Sequence, residues 1–113
     1  MVNKNPKREN AKNIAGGVGA GTITHLVETA KLPDKAGLLA EITLESGASV
    51  GYHQHIGEGE LYYILSGEGE YTEDGVKTQV SAGMATYVYD GHSHGMVNTG
   101  KEPMTFIAVI VKA

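Results

Sequence analysis

Four histidines and a glutamate are spaced so that a metal ion could be shared among them. His53 and His55 flank one residue, Glu60 follows five positions later, and His92 and His94 repeat the two-residue spacing downstream. Side chains alternate faces along an extended chain, so residues two apart point the same way. His53 and His55 therefore share a face, and Glu60 can return on a neighbouring strand. A third imidazole can arrive from GMATYVYDGHSHGMVN, residues 83–98. Two imidazoles, a carboxylate and a third imidazole form a workable ligand set for a divalent metal.

The segments that must position these residues read as short strands. Alternating or β-branched runs fall at 22–29, 37–45, 49–55, 60–65, 68–72, 76–80, 85–89, 94–98 and 104–111. Turn signals separate them: Pro33-Asp34, Ser46-Gly47, Ser66-Gly67, Asp74-Gly75, Ala82-Gly83 and Asp90-Gly91. No window carries helical periodicity with caps, so the expected class is all-β, a sandwich or barrel. Residues 1–21 end in AGGVGAG and read as a flexible N-terminal arm, leaving 22–113 as a single domain. His25, with no partner nearby in sequence, reads as a polar residue on an outer strand face.

The spacing also resembles a known family. Gly47, His53, His55, Glu60 and Gly67 match the first cupin motif position for position. Gly83, Gly91, His94 and Asn98 match the second, with Tyr89 where proline is usual and Met84 where aspartate is common. The resemblance covers about residues 37–111 and implies a double-stranded β-helix, a jelly-roll of two facing sheets forming a cupin barrel. It further implies that His53, His55, Glu60 and His94 hold one divalent transition metal per chain. Motif counting selects Glu60 over Glu58, which is expected in a loop near the mouth, and His94 over His92. Small cupins usually pair as homodimers through one sheet and their N-terminal strands, and Leu61, Tyr63 and Leu65 offer an apolar outward set for this.

Strand parity from Glu60 turns Tyr62 and Ile64 inward, and with Met96 and Phe106 they are expected to line a substrate pocket. Tyr62 and His92 are the candidate catalytic residues. Three histidines and a glutamate leave one or two positions free on an octahedral ion, which suits iron, manganese or nickel, with zinc at lower coordination. The leading expectation is a metal-dependent oxidoreductase of the dioxygenase type acting on a small molecule. The alternatives are a non-catalytic ligand- or metal-binding module in sensing or storage, and a metal-dependent isomerase or decarboxylase. The sole arginine, Arg8, lies in the arm, so no barrel arginine can clamp a carboxylate, which weighs against a site like that of oxalate decarboxylase.

Composition narrows the partners. The formal charge is −4, with a net +3 on residues 1–12 and −7 on the remainder. An acidic body argues against a phosphate-binding surface, so no nucleic-acid partner is expected. No apolar run approaches the ~20 residues that span a bilayer, and no secretory signal is read at the start. There are no cysteines, which excludes disulfides and thiolate ligands. A cytoplasmic location is the default expectation.

Overall fold

The computed structural model describes residues 1–113 and is built almost entirely of strands. In chain order these are β1 (Lys7–Lys12), β2 (Ala20–His25), β3 (Ala36–Leu44), β4 (Ser49–Gln54), β5 (Glu58–Ser66), β6 (Glu68–Glu73), β7 (Val76–Ser81), β8 (Ala85–Val88), β9 (Ser93–Asn98) and β10 (Met104–Lys112). Two short 3-10 turns, Ile14–Gly16 and Thr29–Lys31, interrupt them. A six-stranded sheet runs β1-β2-β3-β10-β5-β8 and a four-stranded sheet runs β4-β9-β6-β7, with every pairing antiparallel. The all-β, two-sheet jelly-roll expected from the sequence is the fold observed.

Alternation along the strands builds the core. Ala40, Ile42 and Leu44 of β3, Tyr62 and Ile64 of β5, and Phe106 and Ala108 of β10 face the other sheet and are buried. Val50, Tyr71, Val80 and Met96 meet them from the four-stranded sheet. The motif residue Asn98 is a structural clamp. Its buried amide donates to the Leu44 and Glu102 carbonyls, and its side-chain oxygen accepts from Gly100 N–H. Gly67 turns the chain at φ 86 with its Cα facing Met104, a position where a Cβ would lie 2.8 Å from the Met104 backbone. Only glycine satisfies both constraints.

The N-terminal stretch differs from the expected flexible arm. β1 pairs along its whole length with β2, from Lys7 opposite His25 to Lys12 opposite Ala20. The following turn is docked on β4: Ser49 N–H donates to the Val18 carbonyl at 2.8 Å, and Val18 N–H donates to Ser49 Oγ at 3.0 Å. Gly51 permits this approach, since a Cβ there would lie 2.3 Å from the Ala15 carbonyl oxygen and 2.6 Å from Gly17 N. Apart from the Ser49 hydroxyl these contacts are made by backbone, so no side-chain pattern announces them.

Candidate metal centre

The two sheets deliver the donors from opposite sides. His53 on β4 and His94 on β9 are directly opposed in register, and cross-strand neighbours of this kind lie within side-chain reach. His55 follows the end of β4, where its N–H donates to the His92 carbonyl at 3.0 Å. Glu60 projects from β5 of the facing sheet. The four side chains offer one donor atom each, all within 4.8 Å of one another. His55, Glu60 and His94 are buried and His53 is half-buried.

The outer nitrogens fix how the rings face. His53 Nδ1–H donates to the Gly51 carbonyl at 2.6 Å, and His55 Nδ1–H to the Glu58 carboxylate at 2.9 Å. His94 Nδ1–H donates to the Tyr71 hydroxyl at 3.0 Å, and that hydroxyl donates to Glu73 at 3.2 Å. With each Nδ1 occupied by an acceptor, the neutral rings turn three Nε2 lone pairs toward one point. There, Nε2 of His55 lies 3.0 Å from both His53 Nε2 and His94 Nε2. Glu60 Oε1 stands 3.1 Å from His94 Nε2 and 3.2 Å from His55 Nε2.

Such a convergence of lone pairs and a buried carboxylate lacks protons to bind itself together, and a cation resolves it. The separations also carry a geometry. Ligands at right angles on bonds of ~2.1 Å sit about 3.0 Å apart, whereas tetrahedral ligands sit about 3.4 Å apart. Four of the six donor separations, at 3.0–3.2 Å, fall in or near this range, and the full set lies within 4.8 Å. The residues therefore fit a divalent ion, and the cluster could hold one.

Electrostatics point the same way. Burial holds the His94 imidazole below its usual range, the neighbouring His53 and His55 push in the same direction, and Glu60 opposes them. The neutral ring is the form that ligates a metal. Burial, reinforced by the adjacent Glu60 carboxylate, pushes the Tyr62 hydroxyl well above its usual range. Burial likewise raises Tyr71, so both phenols stay protonated.

A cavity of about 170 Å³ opens onto the cluster, lined by His25, His53, His55, Glu60 and Tyr62 on the polar side. Its remaining wall is apolar, from residues such as Ile23, Leu38, Ile42, Val50 and Ile110, with Ile14 and Ala15 contributed by the docked N-terminal turn. Of the four residues expected to line the pocket, Tyr62 does. Ile64, Met96 and Phe106 instead lie below it in the packed core, fully buried. Their inward parity is as expected, but their level along the barrel is one layer too deep. His92 does not face the cavity; its Nδ1 bonds Asp74 at 2.5 Å on the exposed surface, beyond the β6–β7 turn.

Four participants escaped the sequence reading. Tyr71 and Glu73 lie on β6, whose Glu73 is register partner to His94, a pairing only the topology reveals. Glu58, expected as a solvated loop residue, begins β5 and orients His55. His25, expected on an outer face, pairs with the inward Ala40 and lines the cavity. The signal that could have found it is parity, since Ile23 two residues earlier is also inward.

Known proteins are similar to this chain in sequence and fold. The chain is similar to an oxalate-binding protein of Thermotoga maritima, at 40% identity over 103 residues, covering 91% of this chain and 85% of the relative. It is also similar to a crystal structure described as a predicted oxalate decarboxylase from Thermotoga maritima, with TM-score 0.93, 37% identity, and coverage of 100% and 99%. An RmlC-like cupin from Shewanella frigidimarina shares the fold, at TM-score 0.75 and 20% identity over 100% of this chain and 89% of the other. A family profile described as Cupin domain matches residues 40–110, the span that carries all four donors, and the chain belongs to the cupin family.

Proposed function

We propose that this cupin binds a small dicarboxylate of the oxalate class on a divalent metal held by His53, His55, Glu60 and His94. One observation carries the reading: three Nε2 lone pairs and a carboxylate oxygen converge beside a cavity of about 170 Å³ with apolar walls. At ~30 Å³ per water, that space takes about five or six water-sized groups. Oxalate, with six heavy atoms, is of that size. The similarity to an oxalate-binding relative supports the same class.

When bound, a metal held by these four residues would supply positive charge and Lewis acidity to a carboxylate. Iron, manganese and nickel suit six-coordination, and zinc would take fewer ligands. The chain's own residues do the rest. Gly51, Glu58 and Tyr71 orient the imidazoles, Tyr62 sits against Glu60, and the apolar wall excludes water. The lack of a barrel arginine counts less against a dicarboxylate than the sequence suggested, because metal coordination can neutralise the anion. The dicarboxylate reading takes the place of the dioxygenase-type oxidoreductase, since the similar proteins are described by oxalate rather than by dioxygen chemistry. Decarboxylation or isomerisation is chemistry the same ion could support.

The outer face of the six-stranded sheet supports a homodimer. Leu61, Tyr63 and Leu65 of β5 stand 39%, 49% and 44% exposed, beside Tyr87 of β8 and Val111 of β10. A contiguous apolar face of this kind is a site for a second copy. No helix is long and apolar enough to cross a membrane.

Calorimetry on manganese-loaded protein with oxalate, acetate and succinate tests the proposal. One oxalate per chain, with weaker acetate and weaker succinate, is the expected order. Succinate binding as tightly as oxalate, or no carboxylate binding at all, would contradict it. Product analysis of the same mixtures separates binding from turnover.

A further inference from the structure

Resting on the dicarboxylate reading, we propose that His25, held by Glu9, receives the end of the bound anion remote from the metal and so sets its specificity. Five polar side chains line the cavity: His25, His53, His55, Glu60 and Tyr62. Four of them are committed to the cluster, three as donors and Tyr62 through Glu60. His25 is the one left over. Its Nε2–H donates to Glu9 Oε1 at 3.1 Å, and its Nδ1 makes no hydrogen bond within the chain.

The position is suited to the role. His25 borders the inner cavity and also a surface groove formed with Lys7, Glu9, Glu28 and Thr29, so it stands at the passage between them. Its side chain is 27% exposed. A dicarboxylate bound by one end to the metal would push its other end against Ile23, Leu38 and Ile110. Burying that charge without a partner is expensive. In the imidazolium form, His25 offers Nδ1–H to the anion while Glu9 accepts from Nε2–H. Glu28 and Lys7 on the groove side and Glu60 on the cavity side are the other charges facing this region. Glu9 reaches the site only because β1 is paired with β2, which gives the N-terminal strand a positioning task.

The test uses manganese-loaded full-length protein and two probes, oxalate and acetate, with bound manganese measured in each variant. Replacing His25→Leu should weaken oxalate by roughly tenfold or more, the order of a lost charge-assisted hydrogen bond. Acetate, with no second carboxylate, should change less than about threefold, and manganese content should not change. His25→Gln, which keeps a donor, should recover part of the oxalate affinity. Unchanged oxalate affinity in His25→Leu, equal losses for both probes, or loss of manganese from both variants would each overturn the assignment. The first of these leaves the dicarboxylate reading standing. Failure of the unaltered protein to bind either probe overturns that reading and this one together.

Discussion

Replacing Tyr71→Phe isolates the contact that orients the most deeply buried donor. The hydroxyl accepts from His94 Nδ1–H at 3.0 Å and donates to Glu73 at 3.2 Å. Phenylalanine keeps the ring and its edge-to-face packing on Tyr62, centroids 6.3 Å apart, so no cavity is created. What remains is a fully buried imidazole with an unpartnered nitrogen. With metal on Nε2, the proton must sit on Nδ1 and has no acceptor, at a cost of about 1–3 kcal/mol. Without metal, the ring can move its proton to Nε2 and bond Glu60, which stands 3.1 Å away. The penalty therefore falls mainly on the loaded form, and metal affinity should drop about 10- to 100-fold. Competition against a chelator of known affinity measures this, with the thermal midpoint of the metal-free protein as the control. Affinity within about twofold of the unaltered protein would refute the orienting role of Tyr71.

Other outcomes follow from the same structure. His94 binds a proton less readily folded than unfolded, where its reference value is 6.5, so its contribution to stability is full above that pH and is lost as pH falls below it. Urea midpoints of the metal-free protein from pH 8 to 5 should decline on the acid side, and a rise there would contradict the sign. Gly51→Ala forces a Cβ to 2.3 Å from the Ala15 carbonyl, against backbone on both sides, and should cost about 1–3 kcal/mol; limited proteolysis should then cut the released N-terminal turn. A midpoint equal to that of the unaltered protein would show that the turn is not docked there. Tyr63→Lys should convert the proposed dimer to monomer in sedimentation at micromolar concentration, and a monomer before substitution would remove the dimer itself.

The strands and the four clustered donors were legible because both rest on short-range regularities. Alternation places His53 and His55 on one face, and glycines such as Gly67 mark turns that no other residue makes cheaply. What escaped depends on long-range pairing. KRENAK has no apolar face, so β1 looks like a solvated charge run, and its order comes from register with β2. The docking of the next turn at Gly17 and Gly51 is backbone against backbone. Tyr71 and Glu73 join the site through the β6–β9 register, eighteen or more residues from any donor on β4. Parity set Ile64, Met96 and Phe106 inward correctly, but period two carries no depth along the barrel, and these residues belong to the core below the cavity.

In the proposed complex an oxalate-class anion sits directly on a metal held by the three histidines and Glu60. Electron paramagnetic resonance of the manganese-loaded protein with oxygen-17-labelled oxalate tests it most directly. Broadened manganese lines with the labelled anion relative to unlabelled oxalate are expected, with no bound manganese signal in His94→Ala. Manganese lines indifferent to the label, or a bound signal unchanged in His94→Ala, would contradict it.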